Sequence, residues 1–454
     1  MNSFIKSKLS AINQKSSGLA SGGAKLLVFR LLALFLSYVF TWYVANYLGS
    51  SVLGAYALMN AVVMVGVLIS RLGLDQLFLR EVSSVKKDNN DYYADTYRQM
   101  IGLQFTVGLL VSILLFLGAD WLAANWLESS DMKHILRYAS IIIIPLTLNL
   151  LHAEGFRGRR QLFNYISIVR IWPLILTIAS SAIIIGSDSE PDLLFFYLYF
   201  GSVITTTLIG FIIWKRSAGV SLVPSFDLSK WKSLLGQSYP MMLVGSMFLI
   251  MGWTDTFMLG HFESKESVGF YHVALKVSNV VSLVLFGING IAAPKISYSW
   301  ANKLTDQFKS IIVSSASLSF LFSLPLVFII ILFRNELLEL FGDGMIAASL
   351  ALVFLAIGQF INGSCGSVMN ILQMTHNQKY SQYILVIAAF INVALNSYFI
   401  PKYGIEGAAF STACSTAFWN LAAVGVVKWR LGVWSVPFVG GLKSVLQLIR
   451  DRRS

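Results

Sequence analysis

The chain has 454 residues, of which 56% are hydrophobic and only 12% are charged, and its formal net charge is +12. A soluble domain carries about 25% charged residues, and a water-soluble chain could not cover this much apolar surface. The composition therefore excludes a soluble globular protein and indicates a polytopic membrane protein, most of whose surface is solvated by lipid.

Twelve apolar stretches fill nearly the whole chain. A helix needs roughly 20 apolar residues to cross about 30 Å of hydrocarbon, and it satisfies its own backbone hydrogen bonds, which lipid cannot do. The first six predicted spans are Lys25–Leu48, Val52–Ser70, Met100–Ala123, Ile135–Glu154, Tyr165–Gly186 and Leu193–Trp214. The second six are Ser233–Gly260, Val268–Ala293, Ser310–Phe333, Ala347–Gln373, Tyr380–Ile400 and Gly407–Val427.

Lysine and arginine are distributed unevenly between the two sides of this arrangement. With the amino terminus inside, 26 of the 34 basic residues fall in the even-numbered loops and the two termini. The opposite side holds five, namely Lys133, Arg137, Lys265, Arg334 and Lys402. Because short cytoplasmic loops are enriched in Lys and Arg, this split places both termini in the cytoplasm. The basic surplus is then a topology signal with anionic lipid headgroups as its partner, and nucleic-acid binding is not expected.

The polar interval near residue 220 divides the spans into six plus six. The predicted parts are a cytoplasmic segment 1–24, a lobe 25–215, a linker 216–232, a second lobe 233–430 and a basic tail 431–454. A repeat supports this division, since Gly54 and Gly269 lie 215 residues apart within similar sequences, as do Arg80 and Lys295. Two lobes that enter the membrane in the same sense indicate parallel repeats. We therefore predict an all-α membrane protein with 12 transmembrane helices in two six-helix lobes around a central cavity.

Ionisable residues within the spans are costly and mark function or pairing. Arg30 and Arg170 each lie one to two turns into a span, where they either line an anion-binding cavity or extend to the cytoplasmic interface. Asp255 and Lys276 lie at similar predicted depths in successive spans. They either form a structural ion pair, or Asp255 titrates or binds a coupling cation while Lys276 faces an anionic substrate.

Polar stripes at helical spacing extend this candidate site. Lys276 shares a face with His272 and Asn279, and the tenth span carries Gln359, Asn362, Gly366, Asn370 and Gln373. Asn392 and Asn396 repeat the pattern on the eleventh span. Such amides either line a cavity or hold helices together, since both roles occur in membrane proteins.

Several short motifs, in order along residues 18–430, resemble one transporter family. In the first half they are Ser17-Gly18-Leu19-Ala20, Tyr47-Leu48-Gly49, Gly54-Ala55-Tyr56 and Arg71-Leu72-Gly73-Leu74-Asp75 with Arg80-Glu81. In the second half they are Trp253 to Gly260, Gly269-Phe270-Tyr271, Pro294-Lys295-Ile296-Ser297 and Tyr403 to Ala409. With these motifs the chain resembles the polysaccharide transporter, or O-antigen flippase, family of the multidrug/oligosaccharidyl-lipid/polysaccharide exporter superfamily.

This resemblance implies a flippase in the bacterial cytoplasmic (inner) membrane that works by alternating access. Its implied substrate is an undecaprenyl-pyrophosphate-linked oligosaccharide, moved to the outer leaflet for O-antigen, capsule or exopolysaccharide synthesis. Arg30, Arg170 and Lys276 are then candidates for a cationic lining that neutralises the pyrophosphate. Glycan polymerase and chain-length proteins are implied as further partners, and no cofactor is expected.

Two other functions stay open. A cation-coupled small-molecule exporter of the same fold would favour an acidic cavity, and in the first lobe Glu154, at the inner end of the fourth span, is the acidic candidate. A membrane-embedded glycan-processing enzyme would need a catalytic constellation, whereas the five histidines are scattered along the chain. The sequence therefore predicts a transporter and not an enzyme, with a scaffolding role in glycan assembly as a compatible addition.

Overall fold

The protein was examined as a computed structural model, which describes residues 28–84, 90–182, 191–219 and 223–437. Most of the residues in these ranges are helical, and none of them lies in a β-strand. The predicted cytoplasmic segment 1–24 and the tail beyond residue 437 lie outside the described residues.

The helices of the first half follow one another with short connections. They are α1 Val28–Tyr47, α2 Gly49–Arg71, α3 Leu74–Ser84, α4 Asn90–Asn125, α5 Ser130–Ala139, α6 Ile143–Gly158, α7 Leu162–Ile166, α8 Trp172–Ser181 and α9 Pro191–Ala218. A 3₁₀ turn at Ser140–Ile142 joins α5 to α6, and a π-helical turn at Ser167–Ile171 joins α7 to α8. Pro145 lies in the first turn of α6 and Pro173 in the first turn of α8. A missing backbone N–H is tolerated at the start of a helix.

The second half is likewise a succession of helices. Its helices are α10 Leu228–Phe262, α11 Lys265–Ser278, α12 Val280–Ala301, α13 Thr305–Leu332, α14 Arg334–Glu339, α15 Ser349–Ser364, α16 Val368–Met374 and α17 Gln378–Leu431. A 3₁₀ turn at Met345–Ala348 precedes α15.

Ten helical stretches among the described residues are long and apolar enough to cross a membrane. The predicted eleventh and twelfth spans both lie within α17, whose backbone turns at Gly404 with φ 53° and ψ −128°. The predicted span Ala347–Gln373 is divided into α15 and α16 at Gly366, which has φ 69°. The all-helical membrane fold is thus confirmed, while the number of 12 spans in two lobes stays a prediction.

The chain forms two compact units. Unit 1 comprises residues 1–40, 66–117 and 137–242, and unit 2 comprises residues 41–65, 118–136 and 243–454. Helices α1, α2, α4 and α10 each contribute residues to both units. The predicted linker 216–232 lies inside unit 1, and the predicted lobe boundaries stay predictions.

The core of unit 1 is aromatic. Phe78, Tyr97 and Trp214 are fully buried, and the Tyr97 ring stacks on Phe78 with centroids 5.3 Å apart. The Tyr97 hydroxyl lies 2.8 Å from Nε2 of the buried His152. A buried polar group without a partner costs about 1–3 kcal/mol, so this hydrogen bond allows an imidazole inside an otherwise apolar core.

In unit 2, α2 and α11 cross in close contact at two glycines. A Cβ placed on Gly54 would lie 1.7 Å from the carbonyl oxygen of Lys265, and one on Gly269 would lie 2.2 Å from that of Ser50. Lys265 follows Ser50 by 215 residues, the same offset that relates the two glycines. The contact is therefore reciprocal between repeat-related positions. Glycine is required here because any side chain would overlap the facing backbone.

A hydrogen bond between Ser51 and Glu266 also joins the start of α2 to the start of α11. The carboxylate of Glu266 accepts hydrogen bonds from its own backbone N–H and from the hydroxyls of Ser264 and Ser51, and these bonds lower the pKa of Glu266. Ser51 and Glu266 are again 215 residues apart. An acid in the first turn of a helix also interacts favourably with the helix dipole.

Candidate functional site

The most developed polar site of unit 2 surrounds the carboxylate of Asp255 in α10. Oδ2 accepts hydrogen bonds from the Tyr271 hydroxyl, at 2.7 Å, and from the Thr412 hydroxyl. Oδ1 accepts hydrogen bonds from the amides of Asn396, at 2.5 Å, and Asn392, at 3.3 Å. The two oxygens of this acid are therefore bound by four neutral donors from two helices, α11 and α17.

The turn at Gly404 explains how two distant parts of α17 meet at this acid. Asn396 and Thr412 each lie eight residues from Gly404, in opposite directions along the chain. When the helix folds back at that residue, positions equally distant from it face one another. The amide of Asn392 accordingly lies 3.3 Å from the hydroxyl of Ser415.

The site is shielded from solvent. Asp255 is 3% exposed, Tyr271 1% and Asn396 0%. An ionised carboxylate buried alone is costly, whereas each hydrogen bond to a charged group contributes about 1.5–3 kcal/mol. Four such bonds offset the cost of burying the charge, and none of the four donors is cationic.

The site also holds an unused acceptor. Oδ1 of Asn396 is buried and accepts no hydrogen bond, while Nδ2 of the same residue donates to Asp255. Around it lie the carboxylate oxygens, the hydroxyls of Tyr271 and Thr412, and Oδ1 of Asn392, which accepts from Asn396 at 3.2 Å. Carboxylate, amide and hydroxyl oxygens are the ligands that hard cations prefer.

A second polar group of unit 2 contains several of the predicted cavity residues. The Lys276 ammonium donates to the Thr41 hydroxyl. Three residues later in the chain, Asn279 accepts a 3.0 Å hydrogen bond from Gln359, and Asn362 donates to Gln359 at 3.3 Å. The structure therefore brings the amides of α15 to the residue that follows α11, as the polar stripes suggested.

Other members of the predicted stripe are separated from this group. Because the chain turns at Gly366, Asn370 and Gln373 lie on the short helix α16, and Gln373 is exposed. His272 is half-buried on α11, one turn before Lys276. A role for any of these side chains in substrate binding stays a prediction.

Unit 1 contains the remaining predicted residues. Arg30 is half-buried on α1, and Arg170 is exposed on the π-helical turn before α8. Glu154, the candidate acid of an exporter cavity, is paired with Arg157 at 3.1 Å. Its charge is therefore balanced within one turn of its own helix.

Sequence reasoning missed two donors of the Asp255 site, Tyr271 and Thr412. A usable signal was present, because Asn396 and Thr412 are equidistant from a glycine within a Tyr-Gly-Ile-Glu-Gly motif. The hydroxyl of Tyr271 gave no comparable signal, since a tyrosine in an apolar stretch is equally typical of a lipid interface.

The many long apolar helices of the described residues define a multi-pass membrane protein. A family described as polysaccharide biosynthesis protein matches residues 19–300, and a second, described as MatE, matches residues 240–398. The chain belongs to the polysaccharide biosynthesis protein family, within the multidrug/oligosaccharidyl-lipid/polysaccharide exporter superfamily.

Two curated relatives of this chain carry the names of transport proteins. A probable flippase, AglR, of Haloferax volcanii is 23% identical over 427 residues, which cover 90% of this chain and 83% of the relative. A putative O-antigen transporter of Shigella flexneri is 22% identical over 81% of this chain and 88% of the relative.

Solved structures share the fold at low identity. The lipid II flippase MurJ in an inward closed conformation has a TM-score of 0.75 at 15% identity, covering 89% of this chain and 87% of that chain. An inward-facing multidrug resistance MATE family transporter has a TM-score of 0.70 at 14% identity, covering 89% of this chain and 98% of that chain. The protein is thus a membrane flippase or transporter and not an enzyme.

Proposed function

We propose that the protein is a flippase for an undecaprenyl-pyrophosphate-linked oligosaccharide, which it moves from the cytoplasmic to the outer leaflet of a bacterial inner membrane. The observation that carries this proposal is the similarity to a probable flippase across 90% of the chain. A charged glycan cannot cross about 30 Å of hydrocarbon unaided, so each repeat unit needs a protein that shields its polar part.

The arrangement of charge in the described residues favours an anionic substrate over a cationic one. In unit 1, Arg157 balances Glu154, and Arg71 forms an ion pair with the buried Asp75. In unit 2, the acid of Asp255 is enclosed by neutral donors, and Lys276 lies three residues before Asn279, which accepts a hydrogen bond from Gln359 of α15. Amides suit sugar hydroxyls, and the Lys276 ammonium would exchange the Thr41 hydroxyl for a phosphate oxygen.

Asp255 is then the site of a coupling cation, which fits its surroundings. If the side-chain amides of Asn392 and Asn396 turn over, their Oδ1 atoms replace N–H donors beside the carboxylate. The acid, two amide carbonyls and the Thr412 hydroxyl would then supply oxygen ligands to a monovalent cation such as Na⁺. Because the same residues join α10 to both arms of α17, loading and release of the cation would change how these helices are held together.

The test of the transported substrate is mass spectrometry of lipid-linked glycans in cells that lack the protein, with a probe for the leaflet that holds them. Complete repeat units accumulating in the cytoplasmic leaflet are expected. An unchanged lipid-linked pool, together with raised sensitivity to amphipathic cations, would favour a small-molecule exporter. Complete units that reach the outer leaflet without polymerisation would point to an enzyme or an assembly role.

Complementation with variants tests the coupling site separately. Asp255→Asn or Lys276→Ala is expected to impair export while membrane insertion is unchanged, and Asp306→Asn, at an exposed acid of α13, serves as the matched control. Normal export by both single variants would refute the assignment of these two residues. Failure of both singles with recovery in the charge-swapped pair would instead identify a structural ion pair.

The nature of the ion can be read from the purified protein. At constant ionic strength, Na⁺ is expected to raise the unfolding temperature of the wild type more than K⁺ or choline, because a ligand that binds only the folded state stabilises it. Asp255→Asn should abolish this difference. A proton as the coupling ion would instead give no preference for Na⁺ and a pH dependence that disappears in Asp255→Asn.

A further inference from the structure

An apolar groove of about 270 Å³ runs along unit 1 between the helices on either side of the π-helical turn and α9. Its lining comprises Phe163, Asn164, Ser167, Ile168, Trp172, Leu176, Ile209 and Ile213. Phe163 and Trp172 are 52% and 40% exposed, so the groove is open along one side. An apolar cavity of about 150 Å³ holds a molecule the size of benzene, and this groove therefore holds roughly ten carbon atoms of a hydrocarbon chain.

The groove is built by an irregular backbone that its neighbours hold in place. The π-helical turn Ser167–Ile171 disturbs the regular hydrogen bonding, and the amide of Asn149 donates to the carbonyl of Ile168 at 3.4 Å. Gly210 of α9 lies against the same isoleucine, where an added Cβ would be 3.0 Å from the Ile168 side chain. π-helical turns occur frequently at functional sites, and here one shapes a wall of the groove.

One buried polar atom faces this apolar surrounding. Ser167 is 3% exposed and its hydroxyl has no hydrogen-bond partner. Serine hydroxyls in membrane helices commonly bond a carbonyl of the preceding turn, as Ser202 does in α9. The Ser167 hydroxyl, like those of several other buried serines in the described residues, differs from that pattern and leaves an unpaired polar atom in the lining of the groove.

The groove begins beside a positively charged surface. Arg160 lies three residues before Phe163, Lys215 and Arg216 lie two and three residues after Ile213, and all three cations are exposed. From Phe163 to Leu176 the groove extends about 20 Å along the helix axis, which is close to the thickness of one leaflet. A hydrocarbon groove of one leaflet's length that ends at three cations matches a lipid with a compact, multiply charged headgroup.

We propose that this groove binds the polyprenyl chain of the lipid-linked substrate while Arg160, Lys215 and Arg216 contact its pyrophosphate, which rests on the function proposed above. The pyrophosphate carries more negative charge than the single phosphodiester of a phospholipid, and three cations favour it accordingly. Bound in this way, the carrier would be held at the surface of unit 1 before its glycan is transported.

The experiment is photo-crosslinking of the full chain in nanodiscs, with undecaprenyl pyrophosphate carrying a diazirine on a mid-chain isoprene unit. Labelled residues are expected within 163–176 and 209–213. Unlabelled undecaprenyl pyrophosphate should compete, whereas the same concentration of phosphatidylglycerol should not. Labelling spread evenly over the lipid-facing helices, or equal competition by phosphatidylglycerol, would show ordinary lipid contact and overturn the proposal.

Two variants fill the groove from opposite walls, so that misfolding of one does not end the test. Ser167→Phe and Ile209→Trp are each expected to reduce labelling about tenfold, since that factor corresponds to about 1.4 kcal/mol of lost apolar contact. Leu208→Trp, at a 57% exposed neighbour on α9 outside the groove, should label like the wild type. Unchanged labelling in both filled variants would refute the groove as the binding site.

The result can be separated from the fate of the proposed function. If filled variants export glycan normally and the crosslinks lie elsewhere, the groove assignment fails while the flippase function stands. If cells lacking the protein accumulate no lipid-linked glycan, the function fails, whatever the crosslinks show.

Discussion

Replacing Gly54 with alanine tests the reciprocal contact between α2 and α11. The added Cβ would lie 1.7 Å from the Lys265 carbonyl oxygen, whereas a carbon and a carbonyl oxygen in contact are separated by about 3.3 Å. The two helices would therefore have to move apart by about 1.6 Å at this point. Overpacking of this kind costs about 1–3 kcal/mol.

A matched glycine isolates that cost. Gly252 lies in α10, and a Cβ there would meet no atom within 4 Å. Alanine at Gly252 should therefore stabilise the helix by up to about 1 kcal/mol through propensity alone. The two variants are expected to shift the free energy of unfolding in opposite directions, with a difference of about 1–4 kcal/mol.

The assay is titration with a denaturing detergent, followed by tryptophan fluorescence. Gly269→Ala should resemble Gly54→Ala, because its Cβ would lie 2.2 Å from the Ser50 carbonyl oxygen. The double variant should lose less than the sum of the two, since one separation of the helices relieves both overlaps. If Gly54→Ala is as stable as Gly252→Ala, the close contact does not exist and the reasoning is wrong.

Three further changes test other parts of the structure. Gly404→Ala should destabilise the protein by about 1–3 kcal/mol, because φ is positive there, while Gly425→Ala, with open space around it, should not. Tyr97→Phe should cost about 1–3 kcal/mol by leaving a buried imidazole nitrogen unpaired, which thermal unfolding in detergent would detect. Thr412→Val should lower the free energy of unfolding by about 1.5–3 kcal/mol, because the hydrogen bond to Asp255 is lost. Thr412→Ser keeps the hydroxyl and should retain this hydrogen bond. If the two variants were equally stable, the result would contradict the hydrogen bond to Asp255.

Much of the fold was predictable because hydrophobic length is a strong signal. Apolar stretches of about 20 residues locate membrane helices without knowledge of their packing. The interruptions were not predictable in the same way, since Gly366 looked like one small residue within a polar stripe. Gly366 has a positive φ and packs against Ala316, where an added Cβ would lie 2.9 Å from the Ala316 Cα, and neither feature can be read from helical spacing.

The candidate site was only partly visible from the sequence. Asp255 was identifiable because an acid inside an apolar stretch is costly. Its partners depend on where α17 folds back, and helical spacing along a single span cannot supply that information. Lys276 was selected for the same reason as Asp255, yet the structure places its ammonium on Thr41 of α1, a contact that no pattern within one span could indicate.

The reciprocal contact of Gly54 with Lys265 and of Gly269 with Ser50 also bears on the ancestry of the chain. In a two-fold dimer of a single half, these would be one contact made twice, and one substitution at the shared glycine would introduce two overlaps at once. When both halves are encoded in one chain, the two equivalent positions can carry different residues. This chain carries serine at 50 and 51 but lysine and glutamate at 265 and 266, so the polar groups of the crossing differ between the two halves while glycine stands at both 54 and 269.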